Sequence, residues 1–588
     1  MIIMDEIYIL NHKPEYGNWD DLCFNKKKIN DEIDILIQRG KTARELILKI
    51  NLNSSDDVQK IISILADDTY EFNSFHSLCK LLKMVAPNRD IRSVWEKTDQ
   101  LLNSHVKKFN TDLDLYNKLL AVSSYNLDNV NDKLFIDKIL KGFAKYGLGP
   151  SHGPQQRKAI LEVLYEINAL EEKILHSPNQ INKIHSLVGL RNKYVRLLGY
   201  DTYMGFRSEL DMISLKTTLQ KIITENIDDR CYNELQTICN TLHKEKISTD
   251  DVIQYRSKLN SKYVINLFTA FNCILNIISS IFHLEFIKQK QSSVKTWENN
   301  NKVKVYCIKY KKETYGYLYV DLVKDKTLEK LSNPLAINLH ECVHYPNRLG
   351  VLKMPVMVLL ADLDSDSVTY LDIISIFKEM GQIVHTVFHR SKYENINVSF
   401  HMRSFMGYLF EHIAFDLDSI KQIFPDNAGE IYSNIMGDRA FKLKQQCIST
   451  LFDCVVHGPK KLDDYQSLKD EYDHIYKAIM NKSLNQCTVS SLSPSIVVNL
   501  IFNGGIIYSE ITNSIMACNL YVLLKQTQGF EQFVNDVLRE STIPFDKAIK
   551  SFITGKVLLE MDEQEHISDE ENNNIRYISE NTNYFTDN

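Results

Sequence analysis

Zinc-dependent hydrolysis is the chemistry indicated by one five-residue stretch, His340-Glu341-Cys342-Val343-His344. Two histidines four residues apart on a helix can bind zinc, and the glutamate between them can deprotonate a metal-bound water. Pro346 follows two residues after the second histidine and leaves little room for a helix. We therefore interpret the stretch as a loop with two ordinary histidines, and zinc binding by His340 and His344 is the alternative.

A second set of ionisable residues lies further along the chain. Glu379 is followed by His385 and His389, which are one helical turn apart, and Glu411 comes later. Carboxylates and imidazoles can act as general acids and bases or as metal ligands. These residues are candidates for an active site, but their types and spacing alone do not choose between chemistry and packing.

The elements that must position these residues are predicted to be mostly helical. Apolar residues recur three and four apart in most windows, and only 20 glycines and 12 prolines interrupt the chain. The exception is a predicted β-hairpin, whose strands 303–310 and 314–323 are rich in Val, Ile and Tyr. A third strand is predicted at 355–360, and helical periodicity resumes at Asp372. A small sheet therefore precedes the helix that carries Glu379.

Length, composition and charge limit the class of protein. The chain has 588 residues, of which 44% are hydrophobic and 24% charged, values typical of a large globular protein with more than one lobe. The net charge of -6 and the lack of a strongly basic block argue against nucleic-acid binding. Eleven cysteines without short paired spacings favour a reducing compartment over a disulfide framework.

Neither a membrane span nor a targeting segment is predicted. The apolar stretch from Tyr263 to Phe286 is interrupted by asparagines and a threonine at helical spacing, so we expect a buried core helix. Acidic residues precede any basic cluster at the N-terminus, unlike a signal or transit peptide. We expect an N-terminal helical region at 1–150, a catalytic-type region at 151–559, and a flexible acidic, asparagine-rich tail at 560–588.

Four separated stretches, in the same order, resemble zinc metallopeptidases of the thimet oligopeptidase and mitochondrial intermediate peptidase family. The matching stretches are the helix Leu190 to Tyr200, the hairpin motif Gly316 to Leu322 with Trp297 before it, the strand Leu352 to Val356, and the helix Ile376 to His385. Residues 390–396 (RSKYENI) are similar to a segment typical of the mitochondrial branch. The resemblance covers about 151–555 and implies a mainly α-helical, two-lobed, zincin-like fold. A deep channel and a small sheet beside the active-site helix are also implied.

The resemblance also locates the zinc ligands, and they are missing. Where the family has H-E-x-x-H, this chain has Lys378-Glu379-Met380-Gly381-Gln382, so only the general-base position, Glu379, is retained. A lysine ammonium repels a dication, and zinc uses an amide oxygen poorly. The position of the third ligand, a glutamate in the family, is held by Gly407 or, in a shifted register, by Ser404. Glu411 and His412 lie about one turn away, so a third zinc ligand displaced by one turn is the alternative.

The segment that binds substrate in the family also departs from its pattern. Asn499 stands at the histidine of that segment, and Asn503, Ile507 and Glu510 stand at its three tyrosines. We hypothesise that the Lys378 ammonium takes over part of the electrostatic role of the absent zinc beside Glu379, with Arg403 as the alternative cation.

We therefore predict a peptidase-like protein that is catalytically inactive and binds a short peptide, an unstructured segment or a protein partner, with no cofactor. The alternative is an active zinc endopeptidase with displaced ligands chosen from His340, His344, His385 and Glu411. The expected location is the cytoplasm, and a mitochondrion or mitochondrion-derived organelle is the alternative. Neither a nucleic acid nor a membrane is an expected partner, and the sequence leaves the oligomeric state open.

Overall fold

A computed structural model of the chain describes most of its length. The described residues are 25–149, 152–177, 182–207, 227–290, 294–297, 302–340, 354–393, 398, 402–437, 439–459, 464–485, 487, 492–539 and 543–563. The last helix ends at Glu563, within the predicted tail at 560–588. The rest of the predicted tail, from position 564 onward, lies outside the described residues.

Helices dominate the described chain, as predicted. In the N-terminal part they are α1 (Lys26–Lys49), α2 (Ser55–Val85), α3 (Arg89–Asn110), α4 (Leu113–Ser123), α5 (Val130–Lys145), α6 (Pro154–His176), α7 (Ile184–Leu197), α8 (Tyr203–Arg207), α9 (Ile227–Leu242) and α10 (Thr249–Asn260). The middle of the chain holds β1 (Val264–Ile265), α11 (Leu267–Phe282), β2 (Leu284–Lys288), β3 (Lys304–Tyr310), β4 (Glu313–Val323), β5 (Leu335–His340), β6 (Val356–Leu363), β7 (Val368–Thr369) and α12 (Tyr370–Phe388).

The described residues of the C-terminal part are mostly helical. It comprises α13 (Phe405–Phe415), α14 (Leu417–Ile423), α15 (Ala428–Met436), α16 (Arg439–Val456), α17 (Tyr465–Met480), a 3₁₀ turn (Asn481–Asn485), α18 (Pro494–Asn503), α19 (Tyr508–Gln526), α20 (Phe530–Phe533), a π-helical turn (Val534–Leu538) and α21 (Phe545–Glu563).

The chain forms two compact units that are discontinuous in sequence. The first unit contains 1–148, 265–399 and 522–552, and the second contains 149–264, 400–521 and 553–588. The predicted linear division at residue 150 does not describe these units, because the chain returns to the first unit at Ile265. The physical reason is a shared core, in which apolar residues of α1 to α3, such as Phe75 and Trp95, pack with Val358 and Leu360 of β6.

A five-stranded sheet in the first unit has the strand order β2-β3-β4-β6-β5. The predicted hairpin is confirmed, since β3 pairs antiparallel with β4 through Cys307↔Tyr317. Its turn residues Lys311 and Lys312 have φ values of 49° and 71°, the positive values of a tight hairpin turn. The third predicted strand is also confirmed as β6, which runs parallel to β4.

Gly316 explains why the hairpin motif contains a glycine. A Cβ atom at this position would lie 2.8 Å from the carbonyl oxygen of Pro355. The next residue, Tyr317, donates its backbone N–H to that same oxygen at 3.0 Å. Any larger residue would therefore push apart the junction of β4 and β6.

The stretch predicted to be a core helix is α11, with eight buried apolar residues along its 16 positions. Within the described chain, no single helix is long and apolar enough to cross a membrane. Helices α18 and α19 taken together are long and apolar enough for a membrane span, but the chain bends by 82° between them.

Candidate functional site

Helix α12 carries Lys378, Glu379 and Gln382, the positions at which the resemblance predicts a degenerate zinc-binding motif. It begins at a capping box, in which the Thr369 hydroxyl accepts from the backbone N–H of Asp372 and the Asp372 carboxylate accepts from that of Thr369. Twelve of its 19 residues are buried, including Phe377, Met380 and Gly381. The interior of the first unit therefore fixes the rotation of the helix.

The retained glutamate is engaged by the neighbouring strand. The backbone N–H of Ala336, on the edge strand β5, donates to Glu379 Oε2 at 2.7 Å. The amide Nε2 of Gln382 lies 3.4 Å from both carboxylate oxygens, a long and weak contact. One turn further on, the Asn338 side chain of β5 donates to Thr386 Oγ1 at 3.1 Å. These contacts join α12 to the sheet through the residue that would be the catalytic base.

The environment of Glu379 disfavours its charged form. Burial raises the pKa of Glu379 above its usual value, while the Ala336 N–H and the positive charge of Lys378 act in the opposite direction. The Lys378 charge therefore lowers the pKa of Glu379, which is the direction that the electrostatic hypothesis requires. This effect of Lys378 is smaller than the effect of burial.

The residues on α12 do not fit a zinc ion. A protonated Lys378 has no lone pair to give to a metal, and Gln382 turns its NH₂ group toward Glu379. The carboxylate of Glu379 already accepts a short hydrogen bond from the strand. A dication at these positions would meet an ammonium and an amide where an H-E-x-x-H motif supplies two imidazoles.

His385 and His389 lie further along the helical stripe that holds Lys378 and Gln382. The His385 ring stacks on Phe545 at a centroid distance of 4.3 Å and contacts His389 edge-on at 5.7 Å. Neither Nε2 has a hydrogen-bond partner among the described residues. Burial lowers the pKa of His385 to about 3 and that of His389 to about 4, so both are neutral at physiological pH. His385 is a packing residue in this geometry.

His340, from the literal H-E-x-x-H stretch, ends strand β5 and does not lie on a helix. Its Nδ1 is 3.0 Å from Ser74 Oγ and 3.4 Å from the Tyr70 hydroxyl. The helical zinc geometry considered for this motif is therefore wrong at its first histidine, because the residue is paired with Val356 in the sheet. His344 lies outside the described residues.

The candidates for the third ligand lie on or next to α13, in the second unit. Gly407 is buried within the helix, and Ser404, which precedes it, accepts from Asn513 Nδ2 at 3.1 Å. Glu411 is 5% exposed and forms an ion pair of 3.4 Å with Lys442. The adjacent His412 places Nε2 3.2 Å from the Ser514 carbonyl, and burial lowers its pKa to about 4. Arg403, the alternative cation for Glu379, belongs to this second unit as well.

The residues at the family's substrate positions lie on α18 and α19 or between them. Asn503 donates to Asn499 Oδ1 at 2.8 Å, one turn back on α18. Ile507 is buried, and its backbone N–H donates to Asp453 Oδ2 at 3.2 Å. Burial raises the pKa of Tyr408, and the negative charge of Glu510 adds to this effect. These residues do not present the phenolic hydroxyls that the resemblance implies for binding a polarised carbonyl.

A buried polar network around Arg191 was not predicted from the sequence. Its guanidinium donates to the carbonyls of Leu500 at 2.8 Å and Ile501 at 2.6 Å, and contacts His457 Nε2 at 3.1 Å. His457 Nδ1 is 2.6 Å from Asp453 Oδ1. Arg191 lies in the stretch Leu190 to Tyr200 that resembles the family, but no spacing in the sequence connects it to a histidine 266 positions away.

Asp453 completes this network at the loop between α18 and α19. It accepts from the Gly505 backbone N–H at 2.9 Å and from that of Ile507 at 3.2 Å. Gly505 has a φ of 81°, and Gly504 sits so close to His457 and Arg191 that a Cβ would lie 2.4 Å from the imidazole Cε1. The network therefore fixes the loop that joins the two helices carrying the substrate positions.

Solved structures of peptidases share this fold. A structure of Pz peptidase A with an inhibitor aligns with a TM-score of 0.56 at 10% identity, covering 87% of this chain and 92% of the other. A putative oligoendopeptidase F gives 0.56 at 11% identity, with coverages of 90% and 95%. A Pyrococcus furiosus carboxypeptidase gives 0.54 at 9% identity, with coverages of 91% and 100%. At these identities the similarity establishes the fold, mainly helical with a small sheet, as predicted.

Sequence comparison identifies the family. No curated protein sequence matches the chain. The family model for peptidase family M3 matches residues 150–510, which is more than half of the chain. The match spans the helix of Arg191, the hairpin, helix α12 and the loop at Gly504. The chain therefore belongs to peptidase family M3.

Proposed function

We propose that this member of peptidase family M3 binds peptides without hydrolysing them through zinc. The observation that carries the proposal is the state of α12, where Lys378 and Gln382 replace the two histidines and Glu379 is bound to the Ala336 N–H at 2.7 Å. The absence of a glutamate at the third-ligand position and of tyrosines at the three substrate positions supports the same proposal.

The chemical reason lies in what the glutamate needs in order to act. In a zinc peptidase the metal lowers the pKa of a bound water, and the glutamate then removes its proton. Without the metal, a carboxylate must deprotonate free water, whose pKa is far higher. Glu379 in this chain instead satisfies a backbone donor of an edge strand, which is a structural role.

The proposed ligand is a short peptide or an unstructured segment of a partner protein, as expected for the oligopeptidase-like members of the family. The RSKYENI segment at 390–396 favours relatives of the mitochondrial intermediate peptidase branch. We place the protein in the cytoplasm, with a mitochondrion or related organelle as the alternative. These assignments rest on the resemblance and on the composition.

An active zinc endopeptidase with displaced ligands is the second candidate. The specific observation in its favour is that His385 and His389 lie along one stripe of α12 with their Nε2 atoms unpartnered among the described residues. Against it stand the Phe545 ring that stacks on His385 and the Lys442 cation that pairs Glu411.

A peptide assay on the full chain separates the two candidates. A mixture of peptides of about 8 to 15 residues is incubated with the protein, bound peptides are recovered, and cleavage products are sought by mass spectrometry. The proposal expects recovered intact peptides and no cleavage that depends on added zinc. Zinc-dependent cleavage by the wild-type chain would establish the endopeptidase, and the absence of both binding and cleavage would refute the peptide-binding role.

The double variant Lys378→His with Gln382→His is the matched gain-of-ligand control. It restores two imidazoles beside Glu379 and should raise the affinity for zinc at least about tenfold over wild type. A tenfold change corresponds to about 1.4 kcal/mol of binding free energy, less than two coordinate bonds to zinc contribute. An unchanged affinity would show that the aligned register of α12 is wrong.

A further inference from the structure

A cavity in the first unit lies away from the stripe of α12 described above. It has a volume of about 260 Å³ and is enclosed by α2, α3, α5 and the residue Tyr393. Two of its lining residues, Asn73 and Lys138, are exposed, so the cavity reaches the protein surface beside them. None of the lining residues belongs to α12, and the cavity is therefore a site separate from Glu379.

Aromatic rings form much of the cavity wall, and each is held by a second ring. Three lining phenylalanines, one from each helix, stack on a neighbour at centroid distances of 5.4, 5.3 and 4.4 Å: Phe72 on His105, Phe109 on Phe143, and Phe135 on Tyr393. The Tyr393 hydroxyl also donates to Asp132 Oδ1 at 2.8 Å. Because these rings are already fixed, a planar aromatic ligand meets a preformed aromatic surface.

The charged groups of the wall do not call for a charged ligand. Asp68 forms an ion pair of 3.8 Å with Arg39. Asp67 and Lys138 are engaged in interactions of their own within the chain. Burial lowers the pKa of His105, so this imidazole is neutral at physiological pH. An ion entering the cavity would lose its hydration and would compete with these existing partners, which favours an uncharged ligand.

Asn110, the last residue of α3, offers a hydrogen-bond acceptor in this wall. Its Nδ2 donates to the Val106 carbonyl at 3.0 Å, and this bond sets the orientation of the amide. No described residue donates to its Oδ1. This oxygen lies beside Gly142, another lining residue, at which a Cβ would be 3.0 Å away. A ligand with an N–H group can therefore donate to Asn110 Oδ1.

The volume of the cavity limits the size of the ligand. An engineered apolar cavity of about 150 Å³ binds benzene, a single ring. Pockets for drug-sized molecules begin at about 300 Å³. The 260 Å³ of this cavity lies between the two values, which suits a fused two-ring system.

We propose that this cavity binds an uncharged two-ring aromatic group with one N–H donor, the chemistry of an indole. The rings pack against Phe72, Phe109 and Phe135, and the N–H donates to Asn110 Oδ1. The indole is carried either by a free small molecule or by a tryptophan side chain. Failure of the peptide assay at α12 would leave this site untouched, and failure of indole binding would leave the proposed function untouched.

Calorimetric titration of the full chain with four uncharged probes tests the proposal. Indole should bind at least about tenfold more tightly than benzene, because its second ring buries more apolar surface. 1-Methylindole, in which a methyl group replaces the donor hydrogen, should bind about fivefold more weakly than indole. N-acetyl-L-tryptophanamide carries the same ring on a peptide-like backbone. If it binds more tightly than indole, the occupant is a tryptophan side chain, and if it binds more weakly, the occupant is a free ring.

Asn110→Leu removes the acceptor and completes a thermodynamic cycle. Indole and 1-methylindole should bind this variant within about twofold of each other, because neither can donate to residue 110. Asn103→Leu makes the same change at an exposed position of α3 outside the cavity, and should preserve the difference between the two probes. A difference that persists in Asn110→Leu would come from the size of the methyl group and would overturn the role of Asn110.

Val106→Trp is designed to fill the cavity from α3 with an indole of the protein itself. It should abolish the binding of added indole. The comparison of indole with 1-methylindole, in wild type and in Asn110→Leu, keeps the test decisive if the larger side chain perturbs folding. The proposal is overturned if indole does not bind, if benzene or 1-methylindole binds as tightly, or if a folded Val106→Trp protein keeps the wild-type affinity.

Discussion

Helix α12 and the Arg191 network both place polar side chains inside an apolar scaffold, and they differ in the number of hydrogen bonds that hold the central side chain. Arg191 is 1% exposed and is held by two carbonyls, a histidine and the carboxylate of Glu171. Glu379 is half-buried, has one short hydrogen bond, and has a pKa raised by burial.

This difference separates a polar cluster that holds the fold from a single carboxylate that contributes little to it. A buried network of several mutually bonded polar groups loses much of its stabilising effect when one member is removed. A partly solvated carboxylate with one strong partner tolerates change. We therefore expect large stability effects around Arg191 and small ones around Glu379.

Removing the guanidinium should produce the largest effect. Arg191→Met would remove the contacts of the guanidinium with His457, with Glu171 and with the α18 carbonyls of Leu500 and Ile501, and should lower the stability of the second unit by about 3–5 kcal/mol. Hydrogen exchange of peptides from α7 and α18 measures the change region by region. Arg196→Met, at an exposed position of the same helix, is the control and should alter the exchange little.

Gly504→Ala should come next. The added Cβ would lie 2.4 Å from both His457 Cε1 and the Leu500 carbonyl oxygen, so the network must shift, at a cost of about 1–3 kcal/mol. Gly189→Ala, on α7 with open space around its Cβ, should instead be stabilising by about 0.5–1 kcal/mol. Urea unfolding of the two variants should shift in opposite directions, and shifts of the same sign would contradict the packing described.

Acid should destabilise the first unit through His385. Its pKa falls to about 3 in the folded chain from about 6.5 in the unfolded one, so the unfolded state takes up a proton first as the pH falls. The stability that neutral His385 contributes is complete above pH 6.5 and is lost between about 6.5 and 3, with about 1.4 kcal/mol gone by pH 5.5. His385→Phe should remove this part of the pH dependence.

The measurement is the change in unfolding free energy between pH 7.5 and 5.5, compared between wild type and His385→Phe. Comparing pH slopes removes the difference in packing between the two rings. Equal slopes would show that His385 is protonated in the folded state and has a partner that the geometry lacks.

Lys378→Met should have the smallest effect. The lysine is partly exposed, so its loss should lower stability by less than about 1 kcal/mol. The clearer change is a further rise in the pKa of Glu379, because the Lys378 charge opposes the effect of burial. Carbon NMR titration of the Glu379 carboxyl measures it, with Lys378→Arg as the charge-retaining control. Identical pKa values in the two variants would refute an electrostatic role for Lys378.

The sequence predicted the elements whose signals are local. The hairpin at 303–323 was readable from β-branched and aromatic residues around a polar turn, and α12 from apolar periodicity after Asp372. The discontinuous units were not predicted, because the contacts of Phe75 with β6 join residues far apart in the chain.

The candidate site, like the fold, was predictable from the sequence only where the signal is local. The prediction that the zinc-binding histidines are replaced depends on the flanking residues Phe377, Met380 and Gly381, which pack as a helix face. The hydrogen bond from Ala336 to Glu379 and the partnership of Arg191 with His457 depend on tertiary structure alone. Neither residue pair has a spacing that a motif could encode.

Zinc stoichiometry tests the central claim most directly. Purified full-length protein is saturated with zinc, freed of excess ion and analysed by elemental mass spectrometry, and peptide cleavage is measured on the same sample and on Glu379→Gln. We predict no stoichiometric zinc and no cleavage that depends on Glu379. One zinc ion per chain, with cleavage that disappears in Glu379→Gln, would contradict the account.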